Sequence, residues 1–268
     1  MLVAQAGNAW HNRGVLMSDQ TSEMSRAAMV RRVGVWSAAA TAALAAVSFG
    51  VAATTPPRTG PFVAPGVAIA YPYSVAARFV PGDFLWMYPA LLMMLSFVVL
   101  AACVRERRGA GKRLFGTIGS SLATASFVVI ATDYFIQLRT VQPALVRGEV
   151  DGLAILSQYN PHGVFIALEE FGFLVAGIAF LFLALALGSS RLERATRWVL
   201  MISSALVIVL FVGMSAFFRL NLEYRFEVTV ISIVWLTLSV VGALLCAVFG
   251  RSVPESTAGR SAPASTDA

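Results

Sequence analysis

The chain has 268 residues, 58% of them apolar and only 13% charged, with a mean hydropathy of +0.76. Ordinary soluble domains carry about 25% charged residues, so a water-soluble globule is excluded. The net charge of +6 does not point to nucleic acid, because the basic residues flank apolar segments, where they act as topology signals.

Cys103 and Cys246 stand near the ends of apolar segments and form neither a metal spacing nor a redox pair. With only His11 and His162, a histidine-rich zinc site is also ruled out, and no metal or cofactor is expected. Lys112 is the sole lysine among 20 basic residues, a bias that fits a high-GC bacterial genome and a bacterial plasma membrane.

Residues 1–32 are polar and unpatterned, end in Arg26, Arg31 and Arg32, and are expected to form a disordered cytoplasmic segment. The first apolar segment covers 33–53 and is read as a retained span. Its basic flank and the small residues Val51, Ala52 and Ala53 also fit a secretory signal, but the run is longer than a usual signal core. Residues 54–83 carry Pro56, Pro57, Pro61, Pro65, Pro72 and Pro81, so no continuous helix can run through them. So apolar a loop is expected to lie at the interface or fold over the bundle, with a short helical turn over 73–80. Trp86 and Tyr88 fit an aromatic belt at the start of the second span.

The remaining spans are read at 84–104, 114–138, 163–187, 199–218 and 228–249, with Gln142-Pro143 breaking the helix after the third. Residues 250–268 are rich in Ser, Thr, Ala and Pro and are expected to be a disordered cytoplasmic tail. The expected fold class is therefore an all-α, polytopic bundle of six spans.

Basic residues alternate by side. Arg13, Arg26, Arg31, Arg32, Arg105, Arg107, Arg108, Lys112, Arg113, Arg191, Arg194, Arg197, Arg251 and Arg260 fall on one side. Arg58, Arg78, Arg139, Arg147, Arg219 and Arg225 fall on the other, so the positive-inside rule puts both termini in the cytoplasm. Pro81 and Arg139 bound one hairpin and Pro161 and Arg219 another at the same offset, but residue identity is poor and bilayer geometry alone accounts for the match.

The fourth span is unusual because Glu169 and Glu170 sit in its first third. Ionisable groups in a spanning segment are costly and mark candidate functional sites. At 1.5 Å per residue, Glu169 lies about 9 Å and Asp133 about 7–8 Å below the same outer boundary. Gln137 stands one turn above Asp133 on the same face, while Arg139, His162, Arg219, Asn221 and Glu223 cap this layer from the outside. His162, Ile166, Glu169 and Phe173 share a helix face, and Glu170 lies about 100° round. The candidate pathway residues are thus Asp133, Gln137, His162, Glu169, Glu170 and Arg219. The small residues Gly34, Ala38, Ala42, Gly172 and Ala176 suit close helix packing.

The run Gln158-Tyr159-Asn160-Pro161-His162-Gly163, with Phe165 to Glu170 after it, resembles segments of uncharacterised six-span bacterial integral membrane proteins. That resemblance covers a short part of the chain and implies no activity. The adjacent glutamates are also similar to those of intramembrane CAAX-processing proteases. Phe173 and Leu174 stand where that group carries an arginine, and its later histidines are absent, so no catalytic residue is expected.

Three function classes follow. The leading one is a transporter-like or permease-like protein with an acidic and basic layer near the outer face. The second is a structural or regulatory membrane protein whose charges pin helices as ion pairs of Asp133 or Glu169 with Arg139 or Arg219. The third, a membrane enzyme acting on lipid, lacks a nucleophile–base arrangement. Expected partners are membrane lipids, a small solute or proton and a second copy of the chain, with no nucleic acid.

Overall fold

The computed structural model describes residues 2–63, 65–107 and 110–251, with side chains from residue 20 onward. Among the described residues eight α-helices follow one another: α1 Leu2–Ala53, α2 Met87–Glu106, α3 Ala110–Ile136, α4 Gln142–Arg147, α5 Leu153–Leu156, α6 Val164–Ala186, α7 Arg191–Phe218 and α8 Tyr224–Gly250. Among the described residues there is no β-strand. Six helical stretches are long and apolar enough to cross a membrane, the architecture of a multi-pass membrane protein.

Two boundaries differ from the sequence reading. The segment 1–32, expected to lack regular structure, is helical from Leu2 and continuous with the first span. No proline precedes Pro56 and the glycines are isolated, so nothing in the sequence stops the helix. The helix also does not break at Gln142-Pro143. A π-helical turn over Gln137–Val141 carries α3 into α4, and Pro143 falls in the first turn of α4, where a missing N–H costs little. The expected disordered tail lies outside the described residues beyond Arg251.

Helix α6 is the centre of the bundle, packing against α2, α3, α7 and α8, while α1 lies between α2 and α8. More than half of the α6 span is buried (56%), against 22% for that of α7, so α6 forms the core and α7 the periphery. Phe173 and Phe180 of α6 are fully buried, and Phe180 meets Phe97 of α2 edge-on at 5.6 Å.

Small residues bring backbones together at two seams. Ser126 of α3 donates to the Gly172 carbonyl of α6 at 2.7 Å. A methyl group on Gly242 of α8 would lie 2.7 Å from the Ala38 carbonyl oxygen of α1, so only glycine permits that approach. The small-residue stripes read from the sequence are thus packing surfaces.

Charged contacts define the two ends of the bundle. Arg26 of α1 pairs with Glu106 of α2, and Arg107 donates to the Val248 carbonyl of α8 at 3.0 Å. Lys112 and Arg197 both donate to the Leu187 carbonyl that ends α6, and Ser190 with Glu193 forms a capping box at the start of α7. Cations at helix C-termini meet unpaired carbonyls and the negative end of the helix dipole, so several basic residues here are caps as well as topology signals.

The opposite end is closed by loops. The 54–86 segment contains 3-10 turns at Gly60–Phe62, Ser74–Phe79 and Gly82–Phe84, the second matching the helical turn read at 73–80. Arg58 grips Asp83 through two hydrogen bonds of 2.8 and 2.9 Å and lies 3.5 Å from the centre of the Phe79 ring. Tyr159 donates to the same carboxylate at 3.1 Å, and Thr59 donates to the Tyr159 carbonyl at 2.7 Å. Tyr224 donates to the Gln158 carbonyl at 2.7 Å, which fastens the loop over the bundle to the start of α8.

An acidic wall beside an aromatic cavity

Three helices bring ionisable side chains to one buried place near the loop end. From α3 come Asp133 and Tyr134, from α6 Glu169 and Glu170, and from α8 Glu227. Asp133, Tyr134, Glu169 and Glu227 are buried and Glu170 is half-buried. Tyr134 donates its hydroxyl hydrogen to Oε1 of Glu169. The carboxyl groups of Glu169 and Glu227 are close neighbours, and Asp133 and Glu170 lie within electrostatic reach of both.

That pair has a chemical requirement. Oε2 of Glu169 and Oε2 of Glu227 are both buried with no protein donor in reach. Two ionised carboxylates only accept, so a bond between them needs a proton, and one shared proton satisfies both orphaned oxygens. Among the described residues no salt bridge reaches Asp133, Glu169, Glu170 or Glu227. Among the described residues no arginine or lysine serves the pair, and a hydrogen bond between its members takes one shared proton.

Glu227 also borders a cavity of about 340 Å³. The end of α1, the 55–62 loop, Asp83 and Trp86, Gln158, Tyr159, Phe165 and the first turns of α8 surround it. Its walls are largely aromatic: Phe49, Phe62, Trp86, Phe165, Tyr224 and Trp235. Trp86 sits 5.9 Å from Trp235 and 5.1 Å from Tyr134, ring centre to ring centre, so one aromatic layer joins cavity wall and carboxyl cluster. Nε1 of Trp235 is buried without a partner, whereas Nε1 of Trp86 donates to the Asp83 carbonyl at 3.0 Å. Trp86 is thus a buried cavity wall rather than part of a lipid-facing belt, while Tyr88 is exposed.

Electrostatics at the mouth are set by one ion pair. Among the described residues Arg58 is the only basic one lining the cavity, and its hydrogen bonds to Asp83 hold its pKa above the ordinary arginine range. Burial, reinforced by the charge of Asp83, pushes the Tyr159 phenol well above the usual tyrosine range, so it stays a neutral donor.

The six sequence-predicted site residues separate. Asp133 and Glu170 both lie within electrostatic reach of Glu169. Gln137 is fully buried but serves the loop: it donates to the Leu156 carbonyl at 2.6 Å and accepts from the Gln158 amide at 3.0 Å. His162 and Arg219 are exposed and do not join the layer, and Arg139 is exposed too. None of the ion pairs of Asp133 or Glu169 with Arg139 or Arg219 forms among the described residues.

Glu227, Tyr134, Trp235 and the Arg58–Asp83 pair are the site residues that sequence reasoning missed. The span start drawn at Val228 put Glu227 in a charged turn, although Tyr224, Glu227, Ile231 and Trp235 follow helical spacing on one face. Among the described residues no group of three or more His, Cys, Asp or Glu has the geometry to hold a metal ion. Comparison with protein-family models, with curated proteins and with solved structures finds no match to this chain.

Proposed function

We propose that this protein is a proton-linked carrier of a small solute in a bacterial plasma membrane, with its basic end cytoplasmic and its cavity opening towards the outer face. The excess of arginine at the basic end supports that orientation. The observation that carries the functional reading is the Glu169–Glu227 carboxyl pair, buried and without a salt bridge among the described residues, with Glu227 lining the cavity. A group that must hold a proton when the cavity is empty, and can release it when the cavity fills, links occupancy to protonation.

The carrier reading is tested in proteoliposomes with an imposed pH gradient and a set of radiolabelled small solutes. Gradient-driven uptake of a solute, lost in Glu169→Gln and Glu227→Gln while both variants remain folded, supports it. Uptake that ignores the gradient, or survives both substitutions, contradicts it. The structural reading, in which the charges pin helices as ion pairs, has no supporting pair within the described acidic cluster.

A further inference from the structure

The lining of the cavity gives it a sign. Arg58 and Asp83 neutralise one another through two hydrogen bonds, and Arg58 is covered by the Phe79 ring, so neither charge is free to bind a ligand. The remaining ionisable carboxyl of the lining is that of Glu227, which is buried. Three more carboxyl groups stand behind it: Glu169 and Glu170 on α6 and Asp133 on α3. The other titratable groups around it are phenols, Tyr134 on α3, Tyr159 in the loop and Tyr224 on α8. Helix α1 contributes apolar side chains to this wall, including Phe49 and Ala52.

Beside that carboxyl the lining carries the rings of Trp86, Phe165, Tyr224 and Trp235. Aromatic rings carry negative faces that attract a desolvated cation, and tryptophan does so best. A carboxylate at one side of an aromatic box recognises a positive charge on an apolar body. It penalises an anion, because four carboxyl groups lie in or behind one wall.

Resting on the carrier reading of the same site, we infer that the cavity takes a lipophilic organic cation, a substituted ammonium with an aromatic or branched apolar body. Entry of the cation replaces the proton shared by Glu169 and Glu227. The ammonium then pairs with the carboxylates and the proton leaves to water through the mouth of the cavity, so charge is conserved in the site.

Binding to the purified full-length protein is measured by equilibrium dialysis against micelle blanks, using three probes of one shape class. These are phenyltrimethylammonium, its neutral carbon isostere tert-butylbenzene, and benzoate. The cation is expected to bind at least about tenfold more tightly than either other probe, the ratio that about 1.4 kcal/mol of charge recognition gives. It is also expected to release protons into a weakly buffered solution containing a pH dye, and to lose about tenfold in affinity in Glu227→Gln. Equal binding of cation and isostere, or preference for benzoate, overturns the inference. If Glu227→Gln does not fold, proton release by the wild-type protein decides, and cation binding without release overturns the exchange.

The two readings fail separately. Cation binding with proton release but no flux in proteoliposomes removes the carrier and keeps the ligand class. Gradient-driven flux of a neutral or anionic solute without cation binding keeps the carrier and removes the ligand class.

Discussion

Tyr134 on α3 donates its hydroxyl hydrogen to Glu169 on α6, and both side chains are completely shielded from solvent. The phenol occupies Oε1 of Glu169 and leaves Oε2 without a protein donor, so the tyrosine fixes the orientation of this carboxyl group. Tyr134→Phe should lower stability by about 1–3 kcal/mol, the penalty for a buried acceptor that loses its donor. Thermal unfolding in detergent reads that loss. Gradient-driven uptake should persist with a shifted pH profile; an unchanged profile would remove the orienting role.

The Arg58–Asp83 pair makes a prediction about the loop. Both side chains are largely buried, at 11% and 7% exposure, so removing one strands the other. Arg58→Met should destabilise the protein by about 3–5 kcal/mol, whereas Arg58→Met combined with Asp83→Leu should recover much of that. A double-mutant cycle on detergent-solubilised protein measures the coupling. Additive losses would show that the pair does not hold the loop.

Tyr159 gives a pH dependence. Its folded-state pKa is raised by burial beside Asp83, so the native state holds this proton more tightly than the unfolded chain does. The associated stability is fully present below the unfolded tyrosine value of about 10 and disappears as pH rises through the higher folded value. Melting temperature should therefore fall more steeply above about pH 10 in the wild type than in Tyr159→Phe. Parallel curves would contradict the assignment.

The two glycine seams should respond unequally to one added methyl. At Gly242 the new Cβ meets the Ala38 carbonyl at 2.7 Å and the Ala42 amide nitrogen at 2.8 Å, backbone that cannot yield. At Gly172 it meets the Ile130 side-chain end at 2.6 Å, which can rotate away. Gly242→Ala should cost about 1–3 kcal/mol and Gly172→Ala less. Equal losses by chemical denaturation would refute the distinction.

Much of this architecture was legible in the sequence because the membrane imposes length and apolarity on every span. The same regularity placed Asp133 and Glu169 at one depth, and the two carboxyl groups lie within electrostatic reach of each other. Depth does not fix direction round a helix axis, and Arg219 and His162, read as caps of this layer, are exposed. Gln137 stands one turn above Asp133 and is buried, but its partners come from a loop with no periodic signal. The Arg58–Asp83 bond spans a proline-rich stretch whose path only the folded loop reveals. Glu227 was hidden by its neighbours, since Glu223 and Arg225 make the start of α8 look like a turn.

Infrared spectroscopy reads the proton that Glu169 and Glu227 are proposed to share beside the cavity. The wild-type protein at neutral pH should show the carbonyl stretch of a protonated carboxylic acid belonging to this pair, separate from that of the buried Asp133 carboxyl and resistant to deuterium exchange until the cavity is filled. That band should vanish or shift in Glu169→Gln and in Glu227→Gln alike. A spectrum with no protonated acid, or a band indifferent to both substitutions, would contradict the account.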